Sequence, residues 1–130
     1  MQAWPFGDAL FTWCEPDTWT PAAEFHNTLS NIPYCIVGAI TTHTGSQHLS
    51  LAPLRMVGLM LVAIGVGSML FHGTLTRIGQ AADELAILWW EVSMLLLLYP
   101  SRSTAIWSLF AFENSVYWLM DFYPKVGWLL

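Results

Sequence analysis

Apolar residues gather in four blocks along the chain, and short polar stretches separate them. A bilayer crossing needs roughly 20 mostly apolar residues. Leu54–Phe71 (LRMVGLMLVAIGVGSMLF) meets that need best, with Arg55 at one end as its only charge. Leu85–Tyr99 (LAILWWEVSMLLLLY) is the second strong block and contains Glu91. Pro100 ends it, because proline cannot extend the helical hydrogen-bond ladder. Two more diluted blocks predict helices over Phe25–Thr41, with Pro33 inside, and Thr104–Phe122, with Glu113, Asn114 and Asp121. His43–Ser50 and Gly73–Ala82 read as connections, and Ser101–Ser103 as a tight turn. Asp83 then falls at the start of the second strong helix, where it suits an N-cap. Short connections make successive helices antiparallel. The expected fold is all-α: a multi-pass transmembrane bundle of three to four spans in a single domain over residues 1–130, with residues 1–24 as an acidic head outside the membrane.

Composition supports a membrane setting. Of the 130 residues, 55% are hydrophobic and 10% are charged, against about 25% charged in an ordinary soluble domain. The net charge of −5 argues against nucleic acid as a partner, since phosphate neutralisation needs a basic face. The aromatic content, with 8 Trp and 7 Phe, argues against disorder. Met1–Gly7 lacks the basic and apolar regions of a secretory signal. The first 24 residues carry Asp8, Glu15, Asp17 and Glu24 and no Lys or Arg, which favours an N-terminus away from the cytosol. Cys14 and Cys35 are expected to be buried free thiols, with a disulfide between them in a lumenal compartment as the alternative.

Polar groups at membrane depth are costly, so each is a functional candidate. Ser68 and His72 stand four apart, on one helix face. An antiparallel turn after His72 would bring Asp83 back to its level. Three readings fit this trio. Ser68 acts as nucleophile with a histidine base and an aspartate orienter. Or His72 ligates a zinc, with Asp83 shuttling protons and Ser68 donating to an oxyanion. Or Ser68 bonds back to a helix carbonyl and His72 is a satisfied interfacial side chain. Separately, Glu15, Asp17 and Glu24 place three carboxylates within ten residues, a supply of oxygens that suits a hard cation such as calcium. The alternative is a solvated acidic head with N-cap roles.

Two segments resemble signatures of the alkaline ceramidases: Trp13–Asn31 (WCEPDTWTPAAEFHNTLSN) and Gly67–Trp89 (GSMLFHGTLTRIGQAADELAILW). They occur in the family's order and at a fitting separation. The resemblance implies a seven-helix integral membrane hydrolase of the endoplasmic reticulum or Golgi, of which this chain is the N-terminal part. It implies cleavage of the ceramide amide to a sphingoid base and a fatty acid. It further implies a zinc held by three histidines, His72 being the first, with Ser68 and Asp83 beside it as catalytic groups. A calcium site would use Trp13 (through its carbonyl), Glu15, Asp17 and Glu24.

The chain departs from the family pattern in three places, one being the stretch between Asp17 and Glu24, which is slightly shorter than in relatives. Thr12 stands where relatives usually carry Asp. His72 is the last histidine of the sequence, whereas the family's other two zinc ligands form an H-x-x-x-H pair near the C-terminus. His26, His43 and His48 do not replace them: His26 is expected to pack, and the other two lie one span, roughly 30 Å, from His72. In a complete relative, zinc would lower the pKa of a bound water toward about 7. Ser68 would then donate to the oxyanion, and Asp83 would carry the proton from water to the leaving amine. The alternative function is a non-catalytic membrane protein that binds lipid, calcium or a partner. Glu91, Glu113, Asn114 and Asp121 are expected to need partners on neighbouring helices.

Overall fold

The computed structural model describes residues 22–47 and 51–122, with side chains described up to residue 119. Its regular elements are all helical: α1 (Phe25–Ser30), α2 (Ile32–Ser46), α3 (Ala52–Thr74), α4 (Arg77–Leu98), a single 3₁₀ turn (Pro100–Arg102) and α5 (Ser103–Phe122).

The first expected helix is split. Pro33 has no N–H to give and would clash with a carbonyl one turn earlier. The chain therefore turns at Asn31, and Pro33 falls in the first turn of α2, where no donor is needed. Asn31 is buried, and its amide donates to the Asn27 carbonyl at 2.8 Å. At its far end α2 runs on through His43 to Ser46, into the stretch expected to be a loop. The hydroxyls of Thr42, Thr44 and Ser46 donate to the carbonyls of Gly38, Ile40 and His43. Their polar groups are thus satisfied within the helix.

The connection before α4 is also shorter than its polarity suggested. Only Leu75 and Thr76 separate α3 from α4. Leu75 adopts φ 47°, the left-handed conformation that closes α3, and its N–H donates to the Phe71 carbonyl at 2.6 Å. Thr76 is the N-cap of α4, its hydroxyl accepting from the Gly79 N–H at 3.2 Å. Asp83 is therefore not the N-cap expected for it. It lies nearly two turns inside α4.

Contacts between helices confirm antiparallel neighbours and place α3 at the centre. Cβ atoms built on Gly38 and Gly65 would come 2.7 Å from Val62 N and 2.5 Å from Cys35 Sγ, and one on Gly58 would collide with Thr42. Such close backbone approach is characteristic of helix pairing in apolar surroundings. Cys35 is a free thiol, half-buried against Gly65. On the other side of α3, Gly79 of α4 lies against Phe71. α5 folds back along α4, where Phe110 meets Trp89 edge to face at 4.5 Å and Trp107 meets it at 6.4 Å.

The outer faces remain apolar: Ile40 is 62% exposed and Phe112 66%. Among the described residues, α3 is the one helix both long and apolar enough to cross a membrane. Its 23 residues span roughly 35 Å.

Candidate functional site

Polar chemistry concentrates at one end of the bundle, where α3 ends, α4 begins, α5 ends and the turn before α1 closes over them. On α3, Ser68 is buried and His72, one turn on, is nearly so. The antiparallel return of α4 brings Asp83 alongside. The Ser68 hydroxyl donates to the Asp83 carboxylate, and His72 is near enough for its charge to act on Asp83. Gly67 makes this approach possible, since a Cβ there would lie 2.9 Å from Ala82 O and 3.0 Å from Asp83 N. The three residues singled out from the sequence thus meet at one site. Asp83 reaches it from mid-helix rather than from a cap.

A fourth residue joins them from the other end of the chain. Glu24 is 2% exposed, and its Oε2 lies 2.5 Å from His72 Nδ1. Asn27 Nδ2 donates to the same oxygen at 3.1 Å. An ionised carboxylate only accepts, so in this pairing Nδ1 is the donor and Nε2 is the ring nitrogen turned away from Glu24. The backbone fixes the placement. Glu24 N–H donates to the His72 carbonyl at 2.9 Å and Ala23 N–H to the Gly73 carbonyl at 3.1 Å. The turn before α1 thereby satisfies carbonyls left open at the end of α3. Glu24 precedes α1, yet its side chain makes no cap bond there; it spans 48 residues of sequence to reach His72.

A second polar network adjoins the first. Arg77 Nη1 donates to Gln80 Oε1 at 3.2 Å, and Gln80 Nε2 donates to Glu84 Oε1 at 2.8 Å. The Tyr117 phenol of α5 hydrogen-bonds the same carboxylate. Gln80, only 2% exposed, and Tyr117 did not stand out in the sequence. The signal for Gln80 was the helical spacing of Arg77, Gln80 and Glu84, three polar residues on one stripe of α4.

The remaining candidates lie elsewhere. Trp13, Glu15 and Asp17 of the expected calcium set, with Thr12 and Cys14, fall outside the described residues, as does His48. His26 is exposed, with its ring edge-on to Phe25 at 5.5 Å. His43 is exposed near the opposite end of the bundle. Glu91 is exposed on α4, Glu113 is half-buried on α5, and Asn114 donates to the Phe110 carbonyl at 3.2 Å. Asp121 lies in the last turn of α5. Among the described residues, no three His, Cys, Asp or Glu side chains gather to hold a metal. A largely apolar cavity of about 370 Å³, lined by Met56, Trp89, Val92, Ser93, Leu96 and Trp107 among others, lies toward the other end of α3.

Fold and site together define an all-α protein with a partly buried Ser–Asp–His–Glu cluster at one end of an apolar bundle. Residues 7–126 match the ceramidase family model, and the chain belongs to that family. It is 33% identical over 100 residues to an alkaline ceramidase of Drosophila melanogaster, a match covering 74% of this chain and 35% of that protein. It is 42% identical over 82 residues to human alkaline ceramidase 1, covering 59% of this chain and 31% of the relative. An alkaline ceramidase of Arabidopsis thaliana is 29% identical over 109 residues, covering 81% and 42%. The chain therefore spans about a third of the length of these curated relatives. No solved structure matches it.

Proposed function

We propose that this chain forms part of a ceramide amidohydrolase, a single multi-pass membrane domain of the endoplasmic reticulum or Golgi, and that Ser68, Asp83 and His72 belong to its active site. The observation that carries this reading is the convergence of Ser68, Asp83 and His72 from two helices, with His72 oriented by buried Glu24.

The reaction adds water to the ceramide carbonyl and breaks the C–N bond, releasing a fatty acid and a sphingoid base. Asp83 accepts a proton from the attacking water and returns it to the leaving nitrogen. Ser68 is bonded to Asp83 in this state. It orients that carboxylate and then turns its hydroxyl to the carbonyl oxygen as negative charge develops there. Glu24 holds the His72 ring so that Nε2 faces away from it. The lipid chains enter sideways from the bilayer, whose contact with the bundle is favoured by its apolar outer faces.

Zinc and calcium belong to this reading by resemblance. Zinc would supply an activated water, and calcium would have a structural or regulatory role. Toward zinc the described residues bring one imidazole, and toward calcium one carboxylate, Glu24, whose Oε2 already serves His72 and Asn27. They do not by themselves make either site, and no step above passes through a metal.

The test grafts these residues in place of the matching segment of the Drosophila relative and measures sphingoid-base release from ceramide, with and without a chelator. Metal-dependent release that falls by about 10² or more with Asp83→Asn supports the proposal. A folded chimera that binds ceramide without turnover would instead establish the second reading, a lipid-binding membrane protein.

A further inference from the structure

Asp83 and Glu84 are consecutive, yet they serve different neighbours. Successive positions on a helix are about 100° apart. Asp83 is bonded to Ser68 of α3. Glu84 takes the phenol of Tyr117 from α5 and the amide of Gln80, which Arg77 holds in turn. Desolvated carboxylates are costly without partners. A turn of α4 about its axis that strands one of them strands the other as well. The ring contacts between α4 and α5 are edge to face, Trp89 on Phe110 and on Trp107. Such contacts tolerate small rotations better than a hydrogen bond does.

We propose that Glu84, held by Tyr117 and Gln80, is a positioning residue that sets the rotation of α4 and thereby aims Asp83 at Ser68. The bond between α4 and α5 is then coupled to a contact between α3 and α4 that it never touches. The consequence for catalysis rests on the hydrolase reading; the coupling does not.

The experiment reads the coupling without turnover. Ser68→Cys and Asp83→Cys are introduced together in the full chain with Cys14→Ser and Cys35→Ser, in detergent micelles. The rate of disulfide formation between positions 68 and 83 is followed under mild oxidation. Removing Asp83 leaves the rotation of α4 dependent on Glu84, which makes this pair a sensitive reporter. Glu84→Leu and Tyr117→Phe are each expected to slow cross-linking by about tenfold, within the range of couplings between interacting sites. Glu84→Gln, which still accepts from Tyr117, should restore the rate to within about twofold of the parent. An unchanged rate in Tyr117→Phe overturns the proposal, as does lower thermal stability with unchanged cross-linking. Should Glu84→Leu fail to fold, Tyr117→Phe decides, since it removes a single oxygen. A chain without hydrolase activity leaves each outcome interpretable, because no substrate enters the measurement.

Discussion

Single residues carry most of the chemistry, and Glu24 is the clearest case. Its carboxylate is buried and bonded to His72 and Asn27, so truncating it removes the acceptor of two half-buried donors. Glu24→Ala is expected to destabilise the protein by about 2–4 kcal/mol, read by thermal unfolding in detergent, with a smaller loss for Glu24→Gln, which keeps an acceptor. Leu75 offers the opposite sign. A side chain in the left-handed region costs roughly 1–2 kcal/mol, and glycine relieves that cost at some expense in unfolded-chain entropy. Leu75→Gly should therefore raise thermal stability by about 0.5–1 kcal/mol. A lower melting temperature in that variant would mean that contacts of the Leu75 side chain outweigh its backbone strain. Ser68 and His72 were legible from their spacing alone. Glu24 on His72 was not, because nothing local announces a bond between residues 48 apart.

At the scale of elements, the long apolar helices were readable and their ends were not. Polarity at His43 and at Gly73 reads as the end of a helix. In the folded chain, Thr and Ser hydroxyls satisfy themselves along α2, and Thr76 caps α4 nearly two turns ahead of Asp83. Pro33 was visible, but whether it kinks or splits a helix depends on what the turn at Asn31 can bond to. Close glycine contacts then set the helix spacing. Gly67→Ala would press a methyl group on Ala82 O and Asp83 N. It is expected to cost about 1–3 kcal/mol and to separate Asp83 from Ser68. In the grafted enzyme this should appear as a fall in kcat larger than any change in KM. Thr76→Ala removes the cap of α4 and should cost about 1 kcal/mol without that selective effect on turnover.

Among the described residues, the outer helix faces are largely apolar and most buried polar groups gather at one end. Ile40 and Phe112 are each more than half exposed on faces that no described element covers. In water a substitution at such a position is nearly neutral, within about 0.5 kcal/mol. In hydrocarbon an acidic side chain near mid-helix costs about 2.5–3.5 kcal/mol. Ile40→Asp is therefore expected to lower the fraction of chain that resists alkaline extraction from membranes. Extraction equal to the parent's would place that face outside lipid.

Sequence alone determined the helical class, the family resemblance, and the shared face of Ser68 and His72. Each of these depends on local periodicity or on motif spacing. Tertiary structure decided which neighbour each polar group meets. Asp83 turned out to lie mid-helix and to face Ser68, Glu84 to face Tyr117, and Glu24 to cross the fold to His72. The physical reason is the cost of an unpartnered polar group away from water. That cost drives such side chains toward partners, and only the packed arrangement of helices determines which partner is within reach.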